Sequence, residues 1–147
     1  MLHPSKAHRI YVDGACRGNP GAAAIGGVIQ DSEGKVLHRF KKYLGHSTNN
    51  VAEYSALIWA LKKAHSLKLQ RVLVYTDSQL VAKQVQGEYR VKDEKLKDLV
   101  MDVWGLAKSF ESFAVVHVPR AQNKEADRLA NEALDARQRY SFFKSRG

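Results

Sequence analysis

The sequence predicts an α/β fold: a five-stranded mixed sheet, three antiparallel strands then two parallel ones, flanked by helices. Three observations predict it. Residues 8–43 hold three strand-like runs joined by short glycine-containing turns. From residue 50 the apolar period becomes helical. Two later apolar runs, 71–76 and 113–118, each lie between helical stretches, as parallel strands joined by crossovers require.

Residues 8–13 (His-Arg-Ile-Tyr-Val-Asp) read as a first strand that ends in an acid. Residues 14–21 (Gly-Ala-Cys-Arg-Gly-Asn-Pro-Gly) have turn chemistry. A small-residue strand follows over 22–30. The turn Asp-Ser-Glu-Gly at 31–34 leads into a third strand over 35–43. From Asn50 to about Leu67, Val51, Tyr54, Leu57, Ile58, Leu61 and Ala64 fall at helical spacing. Residues 71–76 form the fourth strand, residues 77–86 a helix stopped near Gly87, and residues 93–110 another helix. The fifth strand, 113–118, is ended by Pro119; a last helix spans 123–139 before a basic, frayed tail.

The chain has 147 residues, 44% of them hydrophobic, which suggests one domain with its core over about 8–139 and a tail at 140–147. One cysteine, Cys16, excludes an intrachain disulfide and a Cys-rich zinc site. No apolar run approaches the roughly 18 residues of a membrane span, and the start lacks the apolar stretch of a secretory signal. A cytoplasmic monomer is expected. Lys plus Arg number 24 against 15 Asp plus Glu, a net charge of +9 that favours polyanions, nucleic acid above all.

Four acids hold suggestive places. Asp13 ends strand one, Asp77 follows strand four, Glu53 lies in the first turn of its helix, and Asp127 borders the apolar stripe of the last. Each has an ordinary use when taken singly. Asp13 suits a turn, Asp77 an N-cap, Glu53 a capping box with Asn50, and Asp127 a surface ion pair. Taken together they belong beyond strand ends and at helix starts, where α/β sheets form sites. Carboxylates gathered there repel one another unless a cation neutralises them, and oxygen-only ligands call for Mg²⁺ or Mn²⁺. The six histidines show no metal-ligand spacing, and neither a phosphate-binding loop nor a G-x-S-x-G elbow is present.

Tyr11-Val-Asp-Gly-Ala-Cys-Arg-Gly-Asn-Pro-Gly21, Thr48-Asn-Asn-Val-Ala-Glu-Tyr54, Thr76-Asp-Ser-Gln79 and Asn123-Lys-Glu-Ala-Asp-Arg-Leu-Ala130 together resemble the motifs of the type 1 ribonuclease H family, in family order. The resemblance implies a ribonuclease H-like fold. It also implies an endonuclease that hydrolyses the RNA strand of RNA/DNA hybrids with two Mg²⁺ or Mn²⁺ ions, leaving 5′-phosphate and 3′-hydroxyl ends. By the same resemblance Asp13, Glu53, Asp77 and Asp127 are the catalytic, metal-binding acids, with Asp13 bridging the ions. Glu53 and Asp77 would then bind one ion and Asp127 the other; one ion would generate the nucleophile and its partner would stabilise the leaving 3′ oxygen. Cys16, Asn19, Asn49, Asn50 and Gln79 match positions that contact the hybrid's minor groove, where amides suit 2′-hydroxyls and base edges.

Two departures stand out. Many members carry a His in the loop before the last acid. Here the segment is His117-Val-Pro-Arg-Ala-Gln-Asn123, in which His117 reads as a strand residue and Arg120 as the phosphate contact. The basic protrusion of other members is missing, since only residues 87–92 separate the second and third helices. Lys83, Arg90, Lys92 and Lys95, or the tail's Arg137, Arg139, Lys144 and Arg146, are therefore candidates for the DNA strand. Two rival readings are a nuclease that also cuts double-stranded RNA and a non-catalytic hybrid-binding module.

Overall fold

The computed structural model describes residues 6–146. Strands β1 (His8–Gly18), β2 (Gly21–Gln30) and β3 (Val36–Ser47) form an antiparallel meander. β4 (Arg71–Thr76) pairs parallel with β1, and β5 (Ser112–His117) parallel with β4, giving the order β3-β2-β1-β4-β5. The expected five-stranded mixed sheet is therefore present.

Alternation along β2 assigns its two faces. Ile25 and Ile29 pack with Tyr54, Leu57 and Leu61 of α1 (Asn49–Ser66), while Ala24 packs with Ala133 and Leu134 of α4 (Lys124–Arg146) on the other side. The α1 face also holds α2 (Gln79–Val85) and α3 (Glu94–Ala107), whose Val81, Val85, Val100 and Val103 close the main core. Burial of each fully covered Ile or Leu contributes about 1.5–3 kcal/mol. Gly26 sets how near α4 can lie, because a Cβ there would run into the backbone of Ala126 and Ala130.

Two expectations, the end of β1 and the frayed tail, are corrected, and two ordinary single-residue uses are excluded. β1 does not end at Asp13: the hairpin ladder continues to Gly18↔Gly21, so only Asn19 and Pro20 turn. What ends near Asp13 is the pairing with β4, whose last partners are Val12↔Thr76. The α1 N-cap is Thr48, whose hydroxyl accepts from the Val51 amide, so Asn50 and Glu53 form no capping box. Ser78, not Asp77, caps α2. The tail does not fray from residue 140, because α4 runs on to Arg146. The side chain of Arg146 lies outside the described residues, as do residues 1–5.

Candidate active site

The end of the β1–β4 pairing faces the start of α1, and Gly14 allows the two to meet. A side chain at Gly14 would collide with the backbone of Ala52 and Glu53. In that contact the Gly14 amide donates to Glu53 Oε1 at 2.5 Å. Glu53, released from capping, is thereby aimed at β1 and buried beside Asp13. Asp77 comes in from the end of β4, one residue past Thr76. Ligand oxygens of Asp13, Glu53 and Asp77 lie within 4.8 Å of one another.

Asp127, in the first turn of α4, is not among the three acids whose oxygens lie within 4.8 Å of one another. Its Oδ1 accepts from Asn131 Nδ2 at 3.2 Å and lies 4.0 Å from Arg120 Nη2, and its carboxyl interacts with that of Asp13. Asn123 fixes the approach of α4. Its side-chain amide is buried and donates to the Val12 carbonyl at 2.8 Å, next to Asp13.

Burial and mutual repulsion raise the pKa values of Asp13, Glu53 and Asp77. Asp13 is pushed far above the usual carboxylate range by desolvation, then by the charges of Glu53 and Asp77. Desolvation also raises Glu53, to about 7, and raises Asp77, against which the Arg120 guanidinium works. Among the described residues, only Glu53 Oε2 and Asn123 Oδ1 are buried side-chain oxygens without a hydrogen-bond partner. A buried oxygen-only cluster with an orphaned carboxylate oxygen suits a hard divalent cation better than it suits three protons.

Asp13, Glu53 and Asp77 line an open cleft of about 340 Å³ together with Gly14, Asn49, Asn50, Ser78 and Arg120. Asn49 and Gln79 are the exposed first residues of α1 and α2. Asn19 Oδ1 accepts from the Asn49 amide at 3.1 Å, tying the β1–β2 turn to the start of α1. The Cys16 thiol lies within hydrogen-bonding distance of the Gly18 and Ser47 carbonyls and lines neither this cleft nor the hollow beside it. A second hollow, of about 300 Å³, is lined by Asn19, Thr48, Asn50 and Lys95. Of the other basic candidates, Lys83 is paired with Glu88, whereas Arg90 and Lys92 are exposed. His117 ends β5 opposite Thr76, is exposed, and does not line the cleft.

Sequence reasoning missed Gly14 and Asn123. The signal for Gly14 was its place directly after the acid of a strand. For Asn123 it was a polar residue at the helix start, a position that reads as an ordinary cap.

A sheet in this order with acids gathered where the β1–β4 pairing ends defines a ribonuclease H-like enzyme. A model of the reverse transcriptase-like family matches residues 11–133. Ribonuclease HI of Halobacterium salinarum is 41% identical over 137 residues, which are 92% of this chain and 69% of that protein. The crystal structure of RNase H1 from the same archaeon has a TM-score of 0.86 at 42% identity, covering 88% of this chain and 98% of that one. LC11-RNase H1, isolated from compost and solved in complex with an RNA/DNA hybrid, gives 0.85 at 43% identity, covering 89% and 99%. The bifunctional protein Rv2228c of Mycobacterium tuberculosis is 43% identical over 128 residues, and the match spans only 35% of its length. The chain belongs to the type 1 ribonuclease H family.

Proposed function

We propose that this enzyme hydrolyses the RNA strand of RNA/DNA hybrids internally, leaving 5′-phosphate and 3′-hydroxyl ends. The observation that carries the reading is the convergence of Asp13, Glu53 and Asp77 within 4.8 Å, with one Glu53 oxygen buried and unpartnered. The hybrid bound to the similar LC11-RNase H1 supports the choice of substrate.

Asp13, Glu53, Asp77 and Asp127 would hold two Mg²⁺ or Mn²⁺ ions. When bound, such ions supply Lewis-acid activation of water and neutralise charge on the departing 3′ oxygen. Asp13, whose carboxyl interacts with those of Glu53, Asp77 and Asp127, would be the acid shared by the two ions. Arg120, in the 3₁₀ turn before α4 and 82% exposed, is free to meet a phosphate at the cleft's rim. The amides of Asn49, Asn50 and Gln79 suit 2′-hydroxyls and base edges across a minor groove; Cys16 and Asn19 support the same edge. Lys95, beside Asn19 and Asn50, is the basic candidate best placed for the second strand.

The test is a gel assay of labelled hybrid and matched duplex RNA, with and without Mg²⁺ or Mn²⁺, with the product ends assigned enzymatically. Metal-dependent loss of the RNA strand with 5′-phosphate ends is expected. Hybrid binding without cleavage in either metal would reject catalysis. Equal cutting of duplex RNA would reject hybrid selectivity.

A further inference from the structure

A hollow of about 600 Å³ lies away from the acids, between β3 and the second half of α1. Trp59 and Lys63 sit six and ten residues beyond Glu53, about 9 and 15 Å along the helix. Phe40 and Trp59 form its apolar floor, their ring centroids 6.3 Å apart, and Trp59 remains 39% exposed. Around them stand only cations and neutral groups: no carboxylate lines the hollow. Arg39 and Lys41 are turned away to Glu125 and Glu132 of α4. Lys42 lies over the Trp59 ring at 4.5 Å, and neither it nor Lys62 nor Lys63 has an ion pair among the described residues.

A second feature of this place narrows the ligand. β3 is an outer strand of the sheet, and no further backbone–backbone hydrogen bond is made along its free side among the described residues. An unpaired strand edge is complementary to an extended polypeptide and not to a nucleotide chain, because only a peptide supplies alternating N–H and C=O groups at that repeat.

We infer that this hollow is a docking site for an acidic, partly apolar peptide segment of a partner protein. The segment adds to the β3 edge, seats an apolar side chain on Phe40 and Trp59, and pairs its carboxylates with Lys62 and Lys63. The cavity volume is in the range of built ligand sites. The interface is independent of the catalytic acids, so it can recruit the enzyme without entering its cleft.

Fluorescence anisotropy of the 147-residue chain tests this. The probe is a fluorescein-labelled heptapeptide that alternates aspartate with isoleucine and phenylalanine. A same-length labelled single-stranded DNA and the peptide with lysine in place of aspartate are run beside it. The acidic peptide should bind and the lysine peptide should not. Affinity should fall about tenfold or more in Lys62→Glu/Lys63→Glu and in Trp59→Ala, and with N-methylation of the peptide backbone. Cleavage of hybrid by the double variant should remain at the parent level, and its circular dichroism should be unchanged. Absence of acidic-peptide binding by the parent protein would overturn the proposal. So would affinity untouched by Lys62→Glu/Lys63→Glu, or binding of the DNA alone with sensitivity to that change.

Discussion

At Asp13 the chain holds a carboxyl that is buried, crowded by Glu53 and Asp77, and unable to ionise cheaply without a cation. The sign of the consequence follows from linkage. A carboxyl whose pKa is higher in the folded than in the unfolded state stabilises the fold below its unfolded value, and loses that contribution as pH rises through the folded one. For Glu53 the window runs from the ordinary carboxylate range to about 7, and for Asp13 it extends higher. Without divalent ions, Asp13→Asn should therefore be more stable than the parent at pH 8, by a margin that shrinks toward pH 4, and should cleave no hybrid. Melting temperatures at the two pH values check this; an Asn variant less stable at pH 8 would contradict it. Asn123 shows why site residues of another kind escape the sequence. Its amide donates to the Val12 carbonyl more than a hundred residues away, and no local pattern encodes such a partner.

Among the elements, α1 decides whether the acids assemble. Its contact with β1 is backbone on backbone at Gly14, so Gly14→Ala should force the two apart. Overpacking of this kind costs about 1–3 kcal/mol, and Glu53 loses the amide that aims it. The variant should fold with a lowered melting temperature and a cleavage rate reduced at least about a hundredfold, since 1 Å misplacements act on that scale. Near-parent turnover would reject the positioning role of Gly14. The elements themselves were legible where periodicity was strong: residues 71–76 were read as they stand in β4, and α1, α3 and β5 agree within a few residues. The ends of β1 and α4 were not. The glycine- and proline-rich run at 14–21 reads as a turn, yet its small residues pair across a tight hairpin. The tail's basic, polar composition hides a helix that simply continues α4, whose Asn131, Asp135 and Gln138 bind the Arg17 guanidinium.

For the whole molecule, topology converts distant sequence into one site. The parallel β1–β4 pair and the antiparallel hairpin carry Asp13, Asp77 and the α1 start to one end of the central strands. That site stands on a chain with charge +9, so hybrid affinity should fall steeply with salt as phosphate counterions are released. Changing Asn49 and Gln79 to Ala should weaken hybrid binding more than duplex DNA binding without altering the salt slope, because amides read hydroxyls and edges and do not neutralise phosphates. Anisotropy titrations from low to moderate salt separate these effects; equal losses on both duplexes would set aside 2′-hydroxyl reading. Among the described residues no helix is long and apolar enough to cross a membrane.

The most direct measurement is thermal unfolding at pH 8 with increasing Mn²⁺, in the parent and in Asp13→Asn, with no nucleic acid present. Ligand at about 100 times its Kd adds about 2.7 kcal/mol, which in a chain of this size raises the midpoint by about 5–10 °C. The account predicts that rise in the parent and little or none in Asp13→Asn. A parent midpoint indifferent to Mn²⁺, or one that rises equally in both proteins, would contradict it.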